Sequence, residues 1–209
     1  MLTGARIRAA QTLSIVVAIS GTVVIAGWIL DISVLKSISP AWISMKLTTA
    51  LAFILSGITL YFIAGTFKNE FDRAQVAISI TSLTLILLMG TLFFSHFLNV
   101  HTGIEDIFVR DTDISGYTVV PGRPSLPTMF GFMLIALAGI ITLFRYSKLG
   151  YAFKAIGIMV GLIGALPVAG YIGNIPALYY FVSGVSSAIA LHTAILFIMI
   201  GAGFICLSD

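Results

Sequence analysis

The side chains with the widest chemical repertoire in this sequence are His96 and His192, each near the end of a long apolar run. An imidazole can ligate a metal or haem iron, carry a proton, or hydrogen-bond an organic head group such as a quinone. Polar groups inside apolar spans are costly, which makes each of them a candidate for function. Three uses of the pair follow: metal or haem ligation, hydrogen bonding in an organic-ligand pocket, and structural capping or interhelical bonding. His101 follows His96 by five residues, a spacing that leaves a shared helical face, where i,i+4 is wanted. Cys206 is the single cysteine, so neither a disulfide nor a cysteine-based metal cage can form within the chain. Its position near a membrane surface permits palmitoylation; the alternative is plain apolar packing. No G-x-S-x-G, H-E-x-x-H or P-loop occurs, and no carboxylate pair lies within an apolar run. Gly201-x-Gly203 lacks the third glycine and the preceding strand of a dinucleotide site. The chain reads as a non-enzyme, and its residues name no cofactor.

His192 belongs to a pattern that occurs three times, L-x-T-x-x-x-F-x-x-x-small. The copies are Leu47, Thr49, Phe53 and Gly57; Leu126, Thr128, Phe132 and Ala136; and Leu191, Thr193, Phe197 and Gly201. A second triplet precedes them: Gly27-Trp28-Ile29-Leu30-Asp31-Ile32, Ser95-His96-Phe97-Leu98-Asn99-Val100 and Gly170-Tyr171-Ile172-Gly173-Asn174-Ile175. Its pattern is small, ring, apolar, any, Asp or Asn, β-branched. One unit is then a helix rising to a ring and an Asp or Asn, an outer loop, a threonine, and a descending helix. Four tiers result: Trp28, His96 and Tyr171; Asp31, Asn99 and Asn174; Thr48, Pro127 and His192; Thr49, Thr128 and Thr193. If three hairpins pack around a pseudo-threefold axis, these tiers converge in a pocket just beneath the extracellular surface. The candidate ligand-binding set is therefore His192, His96, Thr193, Thr128, Thr49, Trp28, Tyr171, Asn99, Asn174 and Asp31, with His96 and His192 also the weak metal alternative. A threonine in the first turn can instead cap its own helix, and Phe53, Phe132 and Phe197 read as packing.

The elements that must position these residues follow from composition. Of 209 residues, 59% are hydrophobic and 9% charged, whereas soluble domains carry about a quarter charged residues. Six runs, about 12–31, 46–66, 75–98, 125–144, 153–174 and 187–207, are long enough to cross a hydrocarbon core of about 30 Å. The expected fold is an all-α integral membrane protein: six transmembrane helices as three repeated hairpins in a single membrane domain, 1–209, with units of about 12–66, 75–144 and 153–207. Arg6, Arg8, Lys68, Arg73, Arg145, Lys148 and Lys154 fall on one side, and Lys36, Lys46, Arg110 and Arg123 on the other. The basic excess puts both termini in the cytoplasm and the protein in the cell membrane. The net charge of +3 is then a topology signal, with no nucleic-acid partner implied. The first run exceeds a signal-peptide h-region and lacks an A-x-A-like site, so it reads as an uncleaved helix.

The outer loops fill in the plan. Pro40 and Trp42 in the first, and Tyr179, Tyr180 and Phe181 in the third, suit segments lying in the interface and covering the pocket. The second loop holds Glu105, Asp106, Asp111 and Asp113, read as a solvated face because a calcium loop wants tighter alternation and a distal Glu. Pro121-Gly122-Arg123-Pro124 turns the chain into the fourth span. Gly157, Gly161 and Gly164 give the fifth span a smooth face for a close neighbour, the one feature that could select a homodimer face, and Pro167 should kink it.

Met45-Lys46-Leu47-Thr48-Thr49-Ala50-Leu51-Ala52-Phe53-Ile54-Leu55-Ser56-Gly57, Pro121-Gly122-Arg123, and Ala190-Leu191-His192-Thr193-Ala194 leading to Gly201-Ala202-Gly203 resemble the multi-spanning amino-terminal membrane regions of bacterial and archaeal sensor histidine kinases. Similar regions precede PAS-containing signalling proteins and diguanylate cyclases. The resemblance covers most of the chain from about residue 27 onward. It implies a membrane sensory input module, its ligand unassigned, whose last helix passes into a cytoplasmic signalling domain. The sequence runs to Ser208-Asp209 with no such domain, so the expectation is an excised sensor or a stand-alone relative acting on a partner in trans. Two other classes stay open: an accessory or scaffold subunit of a larger membrane complex, and a haem- or metal-binding protein using His96 and His192.

Overall fold

The computed structural model describes residues 3–38, 42–68, 71–98, 100–104, 121–144, 148–181 and 186–208. Asn99, the loop acids Glu105, Asp106, Asp111 and Asp113, and Pro40, Arg110 and Arg145 lie outside the described residues. The elements are α1 (Gly4–Ile29), α2 (Ser33–Lys36), α3 (Leu47–Thr66), α4 (Phe71–Phe97), α5 (Leu126–Leu143), α6 (Leu149–Gly173) and α7 (Leu191–Cys206), with a 3-10 turn at Pro176–Leu178. No strand occurs among the described residues. Helices α1, α3, α4, α5 and α6 are long and apolar enough to cross a membrane. The protein is an all-helical, multi-pass membrane protein, as its composition requires.

Two helix limits differ from those expected from hydropathy, each for a physical reason. Helix α1 begins at Gly4, well before the apolar run, because Ile7 and Ala10 are already buried and the Arg6 Nη2 donates to the Ile205 carbonyl at the end of α7 (3.2 Å). Helix α7 has 16 residues, roughly 24 Å at 1.5 Å per residue. The preceding stretch 187–190 is non-helical and buried, Ala190 is extended, and the Ile189 N–H donates to the Tyr179 carbonyl (2.8 Å). Non-helical backbone at membrane depth is tolerated where protein covers it, and an extended residue rises about 3.3 Å.

Helix α1 packs along α3, α4 along α5, and α6 along α7; between these pairs α3 meets α4, α5 meets α6, and α7 meets α1. Helix α3 also touches α5 and α7. There Phe53, Phe132 and Phe197, all fully buried, form a triangle with ring centroids 4.8, 5.0 and 5.0 Å apart. Lipid tails are as apolar as leucine, so close packing rather than hydrophobic burial must hold the helices together. Small residues supply it. A Cβ at Gly57 of α3 would stand 2.6 Å from the Ser14 carbonyl of α1, and one at Gly201 of α7 would stand 2.6 Å from the Gly157 carbonyl of α6. The smooth face of α6 is thus taken up by α7 of the same chain, and α6 continues through a buried Pro167.

The Asp/Asn tier ends helices. Asp31 and Asn174 adopt the left-handed conformation, with φ 55° and 51°. The Ile32 N–H then reaches the Gly27 carbonyl (2.9 Å) and the Ile175 N–H the Gly170 carbonyl (2.8 Å). These six-to-one closures satisfy carbonyls that a helix end leaves open, and Asp and Asn tolerate the left-handed region better than other side chains. At the end of α4 the Val100 N–H donates to the Ser95 carbonyl (3.0 Å). Asn174→Gly should therefore keep full stability, and Asn174→Val should lose about 1–2 kcal/mol, measured as thermal unfolding in detergent.

Candidate functional site

Where α7 meets α1, the chain forms a groove of about 350 Å³ near the α2 end of the bundle. Ile19, Ser20, Val23 and Val24 of α1 form one wall, Val34 and Leu35 of α2 with Ile38 form the second, and His192, Ile195, Leu196 and Met199 of α7 form the third. The spacings are those of helical rows: Ile19 with Val23, and Ile195 with Met199, are i,i+4 neighbours. Gly27 makes the second wall possible. A Cβ there would meet the Leu35 Cβ at 2.5 Å, so only a residue without one lets α2 fold back over the end of α1. Ile19, Val23, Val34, Ile38 and Ile195 are exposed, and the groove therefore opens sideways, towards the surface that a bilayer would cover.

His192 is the one strongly polar group in the wall. Both its Nδ1 and its Nε2 are buried, and the backbone of Lys36 is within hydrogen-bonding reach of the ring. A buried polar nitrogen left without a partner costs about 1–3 kcal/mol, so a ring with two nitrogens and one backbone neighbour is a notable group in an apolar wall. The other polar groups nearby are committed. The Ser20 hydroxyl donates to the Val16 carbonyl (2.8 Å). The Lys36 ammonium binds the Asp31 carboxylate and lies over the Trp28 ring, 4.7 Å from its centroid. The same ammonium holds the Asp31 carboxyl below its ordinary range. Any stability from that pair is present above the ordinary carboxylate pKa and is lost as pH falls through the lowered value; Asp31 is exposed, so its worth is small.

Of the ten candidates read from the sequence, His192 alone lines this groove. Trp28 and Tyr171 act as struts: the Trp28 Nε1 donates to the Met45 carbonyl (2.9 Å) and the Tyr171 hydroxyl to the Ile189 carbonyl (2.9 Å). Asp31 and Asn174 terminate helices, and Asn99 lies outside the described residues. Thr49, Thr128 and Thr193 are buried as the third residues of α3, α5 and α7, one turn too late to be N-caps. The caps are Lys46, Ser125 and Ala190, and only the Ser125 hydroxyl bonds the helix, accepting from the Thr128 N–H. His96 stands at the end of α4, beside Arg123, whose Nη2 donates to the Val100 carbonyl (2.8 Å); it is not part of the His192 groove. Among the described residues no three His, Cys, Asp or Glu side chains gather closely enough to share a metal ion.

The aromatic residues of two loops come together. Trp42 packs 5.5 Å from Tyr171, and Tyr171 stacks on Tyr179 at 4.3 Å, joining the α2–α3 and α6–α7 connections. Sequence reasoning missed the contributions of α2 and Met199 to the groove, since aliphatic i,i+4 rows on a membrane helix read as lipid-facing. Gly27, ahead of a ring and a left-handed residue, was the available signal that the chain folds back there. Comparison with protein-family models, with characterised proteins and with solved structures finds no match for this chain.

Proposed function

We propose that the protein is a membrane-embedded sensory input module, which binds a hydrophobic or amphipathic small molecule near the extracellular leaflet and relays its presence through α7. The receiver is a cytoplasmic signalling domain, in cis or as a partner in trans, as in the sensor kinases the sequence resembles. In this reading the three helix pairs are repeats around a pseudo-threefold axis, with the phenylalanine triangle on the axis and both termini in the cytoplasm. The recurrence of the ring-to-carbonyl strut, of the left-handed helix end and of the glycine crossing in the first and third pairs supports the repeat. The location follows the basic-residue bias, which makes the α2 end extracellular and the membrane that of the cell surface. The protein is not expected to be an enzyme.

The observation that carries the functional reading is the laterally open groove between α1 and α7, with the half-buried His192 in its wall, on the helix that leads out of the module. Pockets of about 300–1,000 Å³ with a mostly apolar lining and a few polar groups are the usual form of small-molecule sites. A ligand shifts an equilibrium only by binding its two states unequally, and one lodged between α1 and α7 bears on α7 directly. The test is a fusion of the chain to a histidine-kinase catalytic region, screened with lipophilic compounds in vesicles. His192→Ala should abolish or displace the response, and His96→Ala should leave it in place. A response that is unchanged in His192→Ala would remove the groove from the mechanism.

A further inference from the structure

We infer that the seam between α1 and α3 holds an anionic phospholipid of the leaflet at the basic end of the bundle, with an acyl chain in the seam and its phosphate on Arg8, Gln11 and Lys68. At two glycines these helices come into backbone contact. A Cβ at Gly21 would stand 2.6 Å from the Ala50 carbonyl, and one at Gly57 would stand 2.6 Å from the Ser14 carbonyl. From Gly57 towards the basic end the seam widens into a groove of about 250 Å³, lined by Ser14, Ile15 and Ala18 of α1 and by Gly57, Ile58 and Tyr61 of α3. Ile15 and Tyr61 are exposed, so the groove opens to the side that a bilayer would cover. The third helix pair shows what closes such a seam. By repeat position Gly157 stands for Ser14 and Ile205 for Tyr61, and a Cβ on Gly157 would meet the Ile205 Cγ1 at 2.9 Å. There the isoleucine lies across the crossing, whereas in the first pair a serine and a tyrosine have those places and the groove stays open.

The groove runs into a basic mouth. Arg8, Gln11, Ile15 and Ala18 follow one another at i, i+3, i+7 and i+10, a single face of α1, so the face that lines the groove ends in Gln11 and Arg8. The Lys68 Nζ donates to the Gln11 Oε1 (2.7 Å), which brings the exit of α3 to the same place. Gln11 is uncharged and an ammonium has three N–H donors. Lys68 therefore keeps its charge and two donors for an anion, and Gln11 keeps its amide N–H groups. Arg8 is exposed. Among the described residues neither cation has a carboxylate partner, since the one ion pair, Lys36 with Asp31, is at the other end of the bundle. Asp72 is the one acid described at this end, against Arg6, Arg8, Lys68, Arg73, Lys148 and Lys154. Arg6 is already bound to the Ile205 carbonyl. Charge selects the head: a phosphodiester with an uncharged or anionic head meets two uncompensated cations, whereas a choline head adds a third positive charge to them. Depth selects the middle of the molecule. The Tyr61 hydroxyl has no hydrogen-bond partner within the chain and lies between the aliphatic walls and the cations, the level at which a phospholipid carries its ester groups and at which tyrosine is enriched in membrane proteins.

The test uses the full chain in phosphatidylcholine vesicles with a trace of phosphatidylglycerol that carries a diazirine midway along one acyl chain, and maps labelled peptides by mass spectrometry. Labelling is expected on residues 15–18 and 57–61, with little from the matching phosphatidylcholine probe. Arg8→Gln and Lys68→Gln should each weaken it about fivefold, the worth of one cation beside an anionic lipid. Lys154→Gln, at the same end but on α6, should leave it unchanged. Ile58→Trp, which fills the groove and keeps both cations, should abolish it. Equal labelling by the two probes, an equal loss in Lys154→Gln, or full labelling of Ile58→Trp overturns the proposal. No signalling output is read, so the result is independent of the sensory role and of the His192 groove.

Discussion

Phe197→Ala is expected to destabilise the protein by about 2 kcal/mol or more, and the same change at Phe53 or Phe132 by a similar amount. In a soluble core this truncation costs about 3–5 kcal/mol, part of it the transfer of the ring from water. Here the separated helices would still have lipid around them, so the transfer part is largely missing. What remains is the void. Residual cavities cost about 24 cal/mol per Å³, or about 2 kcal/mol for a hole of about 100 Å³. The rings are fully buried where three helices meet, so no lipid tail reaches the hole. The contacts between rings add to this, about 0.5–1.5 kcal/mol per aromatic pair. Each phenylalanine touches the other two, so the double variant Phe53→Ala/Phe197→Ala should cost less than the sum of the singles. Unfolding titrations in mixed detergent micelles measure all three. A cost below about 0.5 kcal/mol for each single change would mean that the triangle does not hold α3, α5 and α7 together.

That triangle also marks how far the sequence can be read. The pattern L-x-T-x-x-x-F occurs three times, and from it alone the three rings are expected to pack; their meeting point is a tertiary fact, but one prepared by the repeat. Helix type follows from hydropathy, because a backbone in lipid has almost no other option, and five of the six expected spans are helices of full length, while α7 is shorter. The Asp/Asn tier has two readings in the sequence, a ligand rim and a helix end. A small residue, a ring and then Asp or Asn is also how a helix ends in a left-handed residue, as Asp31 and Asn174 do. The threonine tier was read as a cap or a rim, whereas the caps fall on Lys46, Ser125 and Ala190. The groove itself was out of reach. It depends on the four-residue α2 folding back over Gly27 and on which face of α1 meets α7. Hydropathy does not encode that choice, since aliphatic side chains serve equally well towards lipid and towards a neighbour. His192 was singled out because it breaks the repeat, and broken symmetry can be seen without coordinates.

The second large effect belongs to the glycine crossings. Gly201→Val should cost about 3 kcal/mol or more, at the upper end of what overpacking does in a well-filled interior. At Gly201 a new Cβ would meet the Gly157 carbonyl at 2.6 Å and the Gly161 nitrogen at 2.7 Å. Both are backbone atoms of α6, and a backbone in a helix cannot turn aside as a side chain can. The only relief is to move α7 away from α6, which strips contact from the rest of a tightly packed pair. Gly161 is the internal control. It lies in the same crossing, yet a Cβ there meets nothing within 4 Å, so Gly161→Ala should be neutral or gain up to about 1 kcal/mol in helix propensity. Equal losses at the two positions would show that flexibility, not contact, is what these glycines supply. The comparison bears on the relay as well. Helix α7 is held by glycine contact to α6 on one side, while its end near residue 205 is tied to Arg6 of α1 and its beginning borders the groove. A ligand that spreads α7 from α1 at the groove therefore has a fixed line against which the helix can tilt. Gly201→Val should loosen that line and uncouple output from the groove before it unfolds the protein. In the kinase fusion this is an altered basal activity.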